Sequence, residues 1–465
     1  MTATDAVTAT EMTTPIADFL RDYAKASGVR LHMPGHKGVS FLGCEPYDLT
    51  EIRGADVLSE AEGIIGESER NASALFETAH TLYSTEGSTL AIKAMLSLAL
   101  KSVNRKRPVV LAARNAHKAF LYAAAWLDFD IVWLMPKERG AHLASSSVTE
   151  DTVSAALSEL FKKENAPHVA AVYLTSPDYL GTTVDIAAIA SVTKAYGIPL
   201  LVDNAHGAYL KFTDPDRHPI SLGATMCCDS AHKTLPVLTG GAYLHIAKDA
   251  PSEYLENARM AMASFASTSP SYLILASLDL ANRYLAEEFK EKYRALLPSV
   301  EAFRQTLLSL GFTLYGNEPL KVTVDAASVG TTGDFLAELL RKEGIECEFS
   351  DTRYLVMMLS TETTAAELAR TAEVFSRAFN GVTHASAAFE TLPEIAPLPV
   401  RMTPREALLA RSEIISVENA VGRVAASPTV ACPPAIPIAV SGEEITENAL
   451  RLFRFYGIKT VAVVK

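Results

Sequence analysis

The sequence predicts an α/β fold built on a parallel sheet. Between residues 60 and 250, short apolar runs rich in β-branched residues alternate with Ala-rich segments of helical periodicity. This alternation is typical of right-handed strand–helix–strand units. A chain of 465 residues is too long for one small core, so we expect two or three packed units. In such a sheet the functional crevice lies at the carboxyl ends of the strands.

The predicted elements follow one another in a regular order. Five runs are typical of buried strands: 108–113, 131–135, 169–175, 199–203 and 242–246. Helical periodicity appears in four segments: 88–102, 116–127, 151–163 and 186–195. From Ser269 onward we expect long helices that lead out of the first unit, followed by strand-like runs at 321–325 and 354–359.

We predict domain boundaries near residues 290 and 385. The capping box Thr364–Glu367 opens a helix of the second unit. A linker marked by Pro393, Pro397 and Pro399 precedes a second capping box, Thr403-Pro404-Arg405-Glu406. The predicted organisation is a flexible tail (1–14), a large domain with its N-terminal segment (15–290), a small α+β domain (291–385) and a C-terminal domain (386–465).

Composition and charge argue against several classes of protein. The net charge is −12 and no basic block is present, so we expect no nucleic-acid partner. The N-terminus lacks the features of a secretory signal, and no apolar stretch is long enough to span a membrane. The cysteines are odd in number and form no C-x-x-C pair, which favours reduced thiols and a cytoplasmic location. They are Cys44, Cys227, Cys228, Cys347 and Cys432.

Common phosphate, dinucleotide and zinc signatures are missing from the sequence, and we expect no metal site. One remaining polar stretch is YSTEGSTLAIKAM, residues 83–95, where Gly87, Ser88 and Thr89 make a turn before an apolar helix. Free backbone N–H groups at a helix start, together with two hydroxyls, form a cup for an anion. The same residues could equally serve only as a helix cap.

A second polar stretch, RNAHKAF (residues 114–120), places His117 directly after the predicted strand 108–113. At this position an imidazole can stack on a flat ring or move a proton. The alternative is a hydrogen-bonded core histidine. His117 is therefore a candidate for the crevice.

Asp203 and Lys233 are the remaining candidates. Asp203 closes an apolar strand, where a carboxylate needs a cationic partner, and His206 follows in the turn. Lys233 and Asp229 are the only formally charged residues from His218 to Ile246. A buried ammonium is costly unless it is paired or has lost its charge, whereas a surface loop would make Lys233 unremarkable in function. One crossover and one strand separate Asp203 from Lys233, so both side chains can reach the same crevice.

Together these groups match the needs of pyridoxal phosphate: a lysine for a Schiff base, an acid for the ring nitrogen and donors for the phosphate. Burial lowers the pKa of such a lysine and keeps it nucleophilic. Ser230 and Lys233 also fit the S-x-x-K signature of serine-acylating enzymes. That mechanism needs both residues on one helix, which Pro236 would disrupt, and its partner motifs are missing.

The chain resembles the ornithine/lysine/arginine decarboxylases, which are fold-type-I pyridoxal-phosphate enzymes with a small C-terminal α+β region. The resemblance covers roughly residues 15 to 447, in order. The similar segments are LHMPGHKG (31–38), DLTEIRGADVL (48–58), STEGST (84–89), ARNAHKAF (113–120), LTSPDYLGTTVDI (174–186), VDNAHGAYL (202–210), SAHKTLPVLTGGAYLH (230–245), TPREALLARSEIISVENAVGRVAA (403–426) and CPPAIPIAVSGEEIT (432–446).

The resemblance implies a role for each candidate. Lys233 would form the Schiff base, Asp203 would pair with the ring nitrogen, His117 would stack on the ring and His206 would lie beside it. Ser230 and His232 would reach the phosphate, with Gly87, Ser88 and Thr89 as its cup. The reaction implied is decarboxylation of arginine, lysine or ornithine by a homodimer or dimer of dimers with active sites at the interface. Three residues depart from the family pattern and bear on the amino-acid preference: Glu86, Asn204 and Gly240.

Two alternatives remain open. One is another reaction of the same cofactor, transamination or carbon–carbon bond cleavage, for which Arg353 would clamp the substrate carboxylate. Arg353 could instead form a surface ion pair with Asp351 or Glu348. The other alternative is a cofactor-binding regulator without turnover, against which the intact set of Asp203, Lys233 and His117 argues.

Overall fold

The computed structural model describes residues 12–26, 28–103, 107–136, 142–145, 147–381, 393–431 and 436–465. Most of the predicted tail, the predicted boundary near residue 385 and Cys432 therefore lie outside the described residues. Within these ranges, no helix combines the length and the apolar character that a bilayer crossing requires. The other four cysteines, which are all described, are unpaired.

A seven-stranded sheet forms the centre of the molecule, in the order β1-β7-β6-β5-β4-β2-β3. Its strands are β1 (His80–Ser84), β2 (Val109–Ala113), β3 (Asp130–Leu134), β4 (Val169–Thr175), β5 (Leu200–Asp203), β6 (Met226–Asp229) and β7 (Ala242–Ile246). β2 to β6 pair in parallel, but β7 runs antiparallel to both β6 and β1. The prediction of a parallel sheet is therefore wrong for β7.

The short connection before β7 explains its direction. Its helix, α7 (Ala231–Thr234), has four residues and rises only about 6 Å. A parallel pairing needs a crossover of a dozen or more residues, usually with a long helix, and the connection 230–241 has only 12 residues with a single short helix. The chain turns back instead, so β7 pairs antiparallel with the strand that it has just left.

Several helices cover both faces of this sheet, and others pack against those helices. They are α1 (Pro15–Lys25), α2 (Ile64–Phe76), α3 (Gly87–Val103), α4 (Lys118–Leu127), α5 (Glu150–Phe161), α6 (Ile186–Ala195), α8 (Ser252–Ala263), α9 (Tyr272–Glu287) and α10 (Phe289–Ser309). Along β2, Val110 packs with α3 and α4, whereas Leu111 packs with α5 and α6 on the opposite face. Because successive side chains point to opposite faces, a strand buried on both sides is a continuous apolar run.

A second sheet follows α10, in the order β10-β11-β9-β8, with every pair antiparallel. Its strands are β8 (Thr313–Tyr315), β9 (Lys321–Asp325), β10 (Phe349–Ser350) and β11 (Tyr354–Met358). Its helices are α11 (Gly333–Lys342) and α12 (Ala365–Phe379), and the predicted capping box of Thr364 and Glu367 opens α12. Helix α10 begins at the predicted boundary near residue 290, which stays a prediction.

The C-terminal part contains α13 (Pro404–Leu409), β12 (Ser412–Ser416), β13 (Thr429–Ala431), β14 (Ile436–Ala439), α14 (Glu447–Phe455) and β15 (Thr460–Val464). The predicted capping box of Thr403 and Glu406 opens α13. β12 pairs with β15, and β13 pairs with β14. Arg114 joins this part to the large sheet, because its guanidinium donates to the carbonyls of Pro437 and Ile438.

Candidate active site

The carboxyl ends of β5 and β6 bring the predicted polar residues to one edge of the large sheet. β5 ends at Asp203, which lies opposite Cys228 in the neighbouring strand β6. The chain then continues from β5 to His206 and from β6 to Ser230 and Lys233. Asp203 and Lys233, 30 positions apart in the sequence, thus lie close enough for the charge of Asp203 to raise the pKa of Lys233.

Asp203 is a buried carboxylate whose partners are neutral. Only 2% of the residue is exposed. The Tyr173 hydroxyl donates to Oδ2 at 3.1 Å, and the backbone N–H of Ala205 donates to Oδ1 at 3.2 Å. Within the described residues Asp203 forms no ion pair. The cationic partner that the sequence requires is therefore not a side chain from the described part of this chain.

Lys233 lies beside His206, and a second lysine lies on the other side of that ring. Lys233 Nζ is 3.1 Å from His206 Nε2, and Lys321 Nζ is 3.0 Å from His206 Nδ1. Burial lowers the pKa of Lys233, while the charge of Asp203 opposes that effect. Lys233 is nevertheless exposed to solvent, although protein atoms surround its amine. Lys233 is thus both solvent-exposed and easier to deprotonate than an ordinary lysine.

His117 is placed at the start of α4. Its Nδ1 accepts the backbone N–H of Ala119 at 3.2 Å, so the ring caps the helix. Burial lowers the pKa of His117, although the nearby charge of Asp203 raises it. The ring is therefore uncharged and fixed near Asp203, which suits stacking on a flat group. The capping role of the histidine and the predicted stacking role are compatible.

The predicted anion cup lies across the crevice from Asp203's strand. α3 begins at Gly87, whose φ of +72° places it in the left-handed region, with open space where a Cβ would stand. The Ser230 hydroxyl donates to Ser88 Oγ at 2.9 Å, which joins the two loops. Thr89 lies one residue further into α3 with its side chain exposed. Two hydroxyls at a helix start form a suitable site for a phosphate.

His232 is oriented by the backbone. Its Nδ1 lies 3.0 Å from the carbonyl oxygen of Gly241, and its own N–H donates to the same oxygen. The ring is close enough to His206 for its charge to lower the pKa of that residue. The structure therefore brings His232 into the crevice, while its predicted contact with the phosphate stays a prediction.

A buried network beneath the crevice is centred on Asp229. His218 Nε2 and His245 Nε2 lie 3.0 Å and 3.1 Å from Asp229 Oδ2, and the Asn204 amide donates to Oδ1 at 2.6 Å. Burial raises the pKa of the Asp229 carboxyl, but the two histidines more than offset this and hold it well below its usual range. These three side chains could also hold a metal ion, but the hydrogen bonds account for their arrangement. The network fixes the ends of β5, β6 and β7 relative to one another.

The three departures from the family pattern have structural contacts. Asn204 belongs to the Asp229 network, and the Glu86 carboxylate accepts the backbone N–H of Ser267. Gly240 has a φ of +101°, and a Cβ there would meet the carbonyl oxygen of Thr85 at 2.8 Å. The close approach of these two loops therefore requires glycine at position 240.

Arg353 forms a surface ion pair, but the expected partners were wrong. Its Nη2 lies 3.0 Å from Asp325 Oδ2, and its side chain is 40% exposed. The pairing of β9 with β11 places Tyr354 opposite Asp325 and so brings the adjacent Arg353 to this carboxylate. Asp351 instead binds His142 at 2.9 Å and backbone N–H groups.

Glu348 is also occupied elsewhere, because the Tyr179 hydroxyl donates to it at 2.8 Å. Its negative charge raises the pKa of Lys233 and of Lys321 against the effect of burial, so it lies within electrostatic reach of both amines. Sequence reasoning missed Lys321 and named Glu348 only as a possible partner of Arg353. A signal for Lys321 existed, since it is a lone lysine at the start of the apolar run 321–325.

Two models of the Orn/Lys/Arg decarboxylase family match most of the chain. The model for the major domain of Orn/Lys/Arg decarboxylases matches residues 14–323, and the model for their C-terminal domain matches residues 382–460. The uncharacterized protein YaaO of Bacillus subtilis is 31% identical over 97% of this chain and 95% of its own length. An arginine decarboxylase of Bacillus anthracis is 28% identical over 95% of this chain and 92% of its own length.

Solved structures show the same fold. The lysine decarboxylase of Francisella novicida matches with a TM-score of 0.80 and 16% identity, over 98% of this chain and 81% of that one. Lysine decarboxylase A from Pseudomonas aeruginosa matches with a TM-score of 0.78 and 18% identity, over 97% and 80% of the two chains. A serine palmitoyltransferase with bound pyridoxal phosphate matches with a TM-score of 0.55 and 14% identity, over 79% of this chain and 85% of that one.

Proposed function

The chain belongs to the Orn/Lys/Arg decarboxylase family, and from that premise we propose that it converts a basic amino acid to the corresponding amine and CO2. The predicted family, the fold class and the enzyme class are confirmed. The choice among arginine, lysine and ornithine is the finer part of the proposal. Relatives named as arginine decarboxylases favour arginine. The observation that carries the proposal is the solvent-exposed Lys233, whose pKa is lowered, within electrostatic reach of Asp203.

The chemistry of the side chains in the crevice fits pyridoxal phosphate. Asp203 is a buried carboxylate with only neutral partners among the described residues, and a protonated ring nitrogen would supply the missing cation. Ser88 and Ser230 would hold the phosphate at the start of α3. Lys233 would hold the aldehyde carbon.

Pyridoxal phosphate, when bound, supplies a ring that accepts the electron pair left behind by the departing CO2. Asp203 would hold the proton on the ring nitrogen, and the uncharged ring of His117 would limit its tilt by stacking. Lys233 Nζ and His206 are the groups placed to return a proton to the α-carbon of the substrate. The four side chains named here all lie at the edge of one sheet.

The position of Arg353 supports decarboxylation over transamination. A transaminase commonly clamps the α-carboxylate in the plane of the ring with an arginine. Arg353 is bound to Asp325, and no interaction joins it to Lys233 or His206 among the described residues. Arg353, held by Asp325, would therefore leave the substrate carboxylate free to depart as CO2.

Product analysis tests this proposal. The purified protein is supplied with pyridoxal phosphate and incubated separately with arginine, lysine and ornithine, and CO2 and amine are measured. We expect equal amounts of both from one of the three, and none with Lys233→Ala. Keto acid without CO2 would instead support transamination, and binding of the cofactor without any product would support a regulator.

We also propose the predicted homodimer, or a dimer of dimers, with active sites at the interface. The support is an exposed apolar segment between residues 29 and 42, where Leu31 is 90% and Leu42 is 88% exposed. Soluble monomers seldom expose such a run, and a second copy of the chain would cover it. Light scattering that gives the mass of one chain would contradict this. The four unpaired cysteines support the predicted cytoplasmic location.

A further inference from the structure

We propose that Lys321 is a positioning residue that fixes the tautomer of His206 and thereby keeps Lys233 an uncharged amine. The inference rests on the proposed function, because it concerns the amine that would hold the cofactor. It adds a residue from the second sheet to a site that is otherwise built at the edge of the first.

Lys321 is a buried lysine with an acceptor for each hydrogen of its ammonium form. It opens β9, and 4% of the residue is exposed. Its Nζ lies 3.2 Å from the carbonyl oxygen of Asp178, 3.4 Å from that of Tyr179 and 3.0 Å from His206 Nδ1. A lysine ammonium has three N–H groups and no acceptor, so these contacts use all three. His206 Nδ1 must therefore provide a lone pair.

The tautomer of His206 in turn determines which protonation state of Lys233 completes the hydrogen bonds. Burial lowers the pKa of His206 well below its usual range, so the ring is neutral and carries one hydrogen. With Nδ1 accepting from Lys321, that hydrogen is on Nε2 and points to Lys233 Nζ at 3.1 Å. It needs a lone pair as its acceptor, which an ammonium lacks. Only a neutral Lys233 completes the chain of hydrogen bonds.

The surroundings decide which lysine carries the charge. Lys321 has two backbone carbonyls as acceptors. Burial lowers the pKa of Lys321, and the charges of Glu318, Asp178 and Glu348 oppose that effect. Facing Lys233 are Asp203, Glu348 and the thiol of Cys228, and its hydrogen-bond partner among the described residues is His206 alone. Facing His206, besides the lysines, are His117 and His232. The three acceptors around Lys321 Nζ thus place the positive charge on Lys321 and leave Lys233, the more exposed of the two lysines, nucleophilic.

The test measures the protonation of Lys233 without using activity. The full chain, freed of cofactor, is labelled with traces of isotopic acetic anhydride at a series of pH values, and each lysine is quantified by peptide mass spectrometry. Exposed Lys290 is the internal reference. In Lys321→Met we expect the labelling midpoint of Lys233 to move up by about one pH unit or more, because His206 is free to accept from an ammonium. Lys321→Arg keeps the charge and the donors, so its Lys233 midpoint should lie closer to that of the parent protein.

Two controls separate this effect from a loss of structure. Lys211→Met removes another buried lysine, which binds Glu77 and Asp216, and should leave the Lys233 midpoint unchanged. If Lys321→Met does not fold, His206→Phe breaks the same link while Lys321 stays in place, and the midpoint should again rise. An unchanged midpoint in a folded Lys321→Met, or in His206→Phe, overturns the inference. The proposed function would fail on a different result, in which no cofactor is found bound to Lys233 in the parent protein.

Discussion

The hydroxyl groups of Ser88 and Ser230 lie 2.9 Å apart, although 142 positions separate the two residues in the sequence. Ser88 belongs to the first turn of α3, and Ser230 directly follows β6. The contact joins the predicted anion cup to the segment that carries Lys233. Phosphate binding and the placement of the amine are therefore linked in this fold.

Loss of either hydroxyl should weaken the binding of pyridoxal phosphate. A hydrogen bond to a charged group contributes about 1.5–3 kcal/mol, so Ser88→Ala and Ser230→Ala should each raise the dissociation constant about 10- to 100-fold. The measurement is the absorbance change on adding cofactor to the cofactor-free protein. Ser264→Ala, which removes an exposed hydroxyl bound to the Met260 carbonyl, is the matched control. Equal affinity in all variants would show that the phosphate does not bind at this position.

Asp203→Asn should keep the shape of the site but remove its negative charge. A weaker hold on the ring proton makes a weaker electron acceptor, so turnover should fall by several powers of ten if the charge contributes several kcal/mol to the transition state. The amine product is measured with cofactor in excess. Activity within a few-fold of the parent would make Asp203 a structural residue and place the partner of the ring nitrogen elsewhere.

Arg353→Ala should have little effect on catalysis. The guanidinium is part of a half-exposed ion pair with Asp325, so the change in apparent substrate affinity should be under about 1 kcal/mol. KM is compared for each basic amino acid, with Arg341→Ala as a control that also removes an exposed ion pair. A large loss for every substrate alike, with keto acid as the product of the parent enzyme, would contradict the decarboxylase proposal.

Asp229→Asn should destabilise the fold. Removing one partner from a buried charged network costs about 3–5 kcal/mol, which thermal unfolding would detect. The pKa of this carboxyl is lower in the folded chain than in the unfolded one. Its contribution is therefore complete above the ordinary carboxyl range and is lost as the pH falls through the lowered value. Exposed Asp249→Asn is the control, and an equal melting temperature for both variants would contradict the role of the network.

Much of the large sheet could be predicted because its strands are buried on both faces. β4 coincides with the predicted run 169–175, and β5 is one residue shorter than predicted. Such strands are continuous apolar runs that end at polar residues, which also identified Asp203. The direction of β7 could not be predicted in this way, because it depends on how far the short helix α7 can carry the chain.

The rest of the site depends on contacts between distant segments. Lys321 reaches His206 because the chain near Gly181 packs against Asn317, whose N–H donates to the Gly181 carbonyl. No local pattern encodes that contact. The partner of Arg353 depends likewise on the register of β9 and β11, which a sequence pattern does not specify. Local periodicity thus predicts which residues end a strand. It does not predict that the second sheet packs next to those residues.

Borohydride reduction of the purified protein, followed by peptide mass spectrometry, tests the assignment of Lys233 most directly. Reduction fixes the cofactor to the amine that holds it. We expect the yellow colour to be lost and the reduced pyridoxyl group to be found on Lys233. A reduced group on Lys321, the other amine beside His206, or on any other lysine would contradict the account.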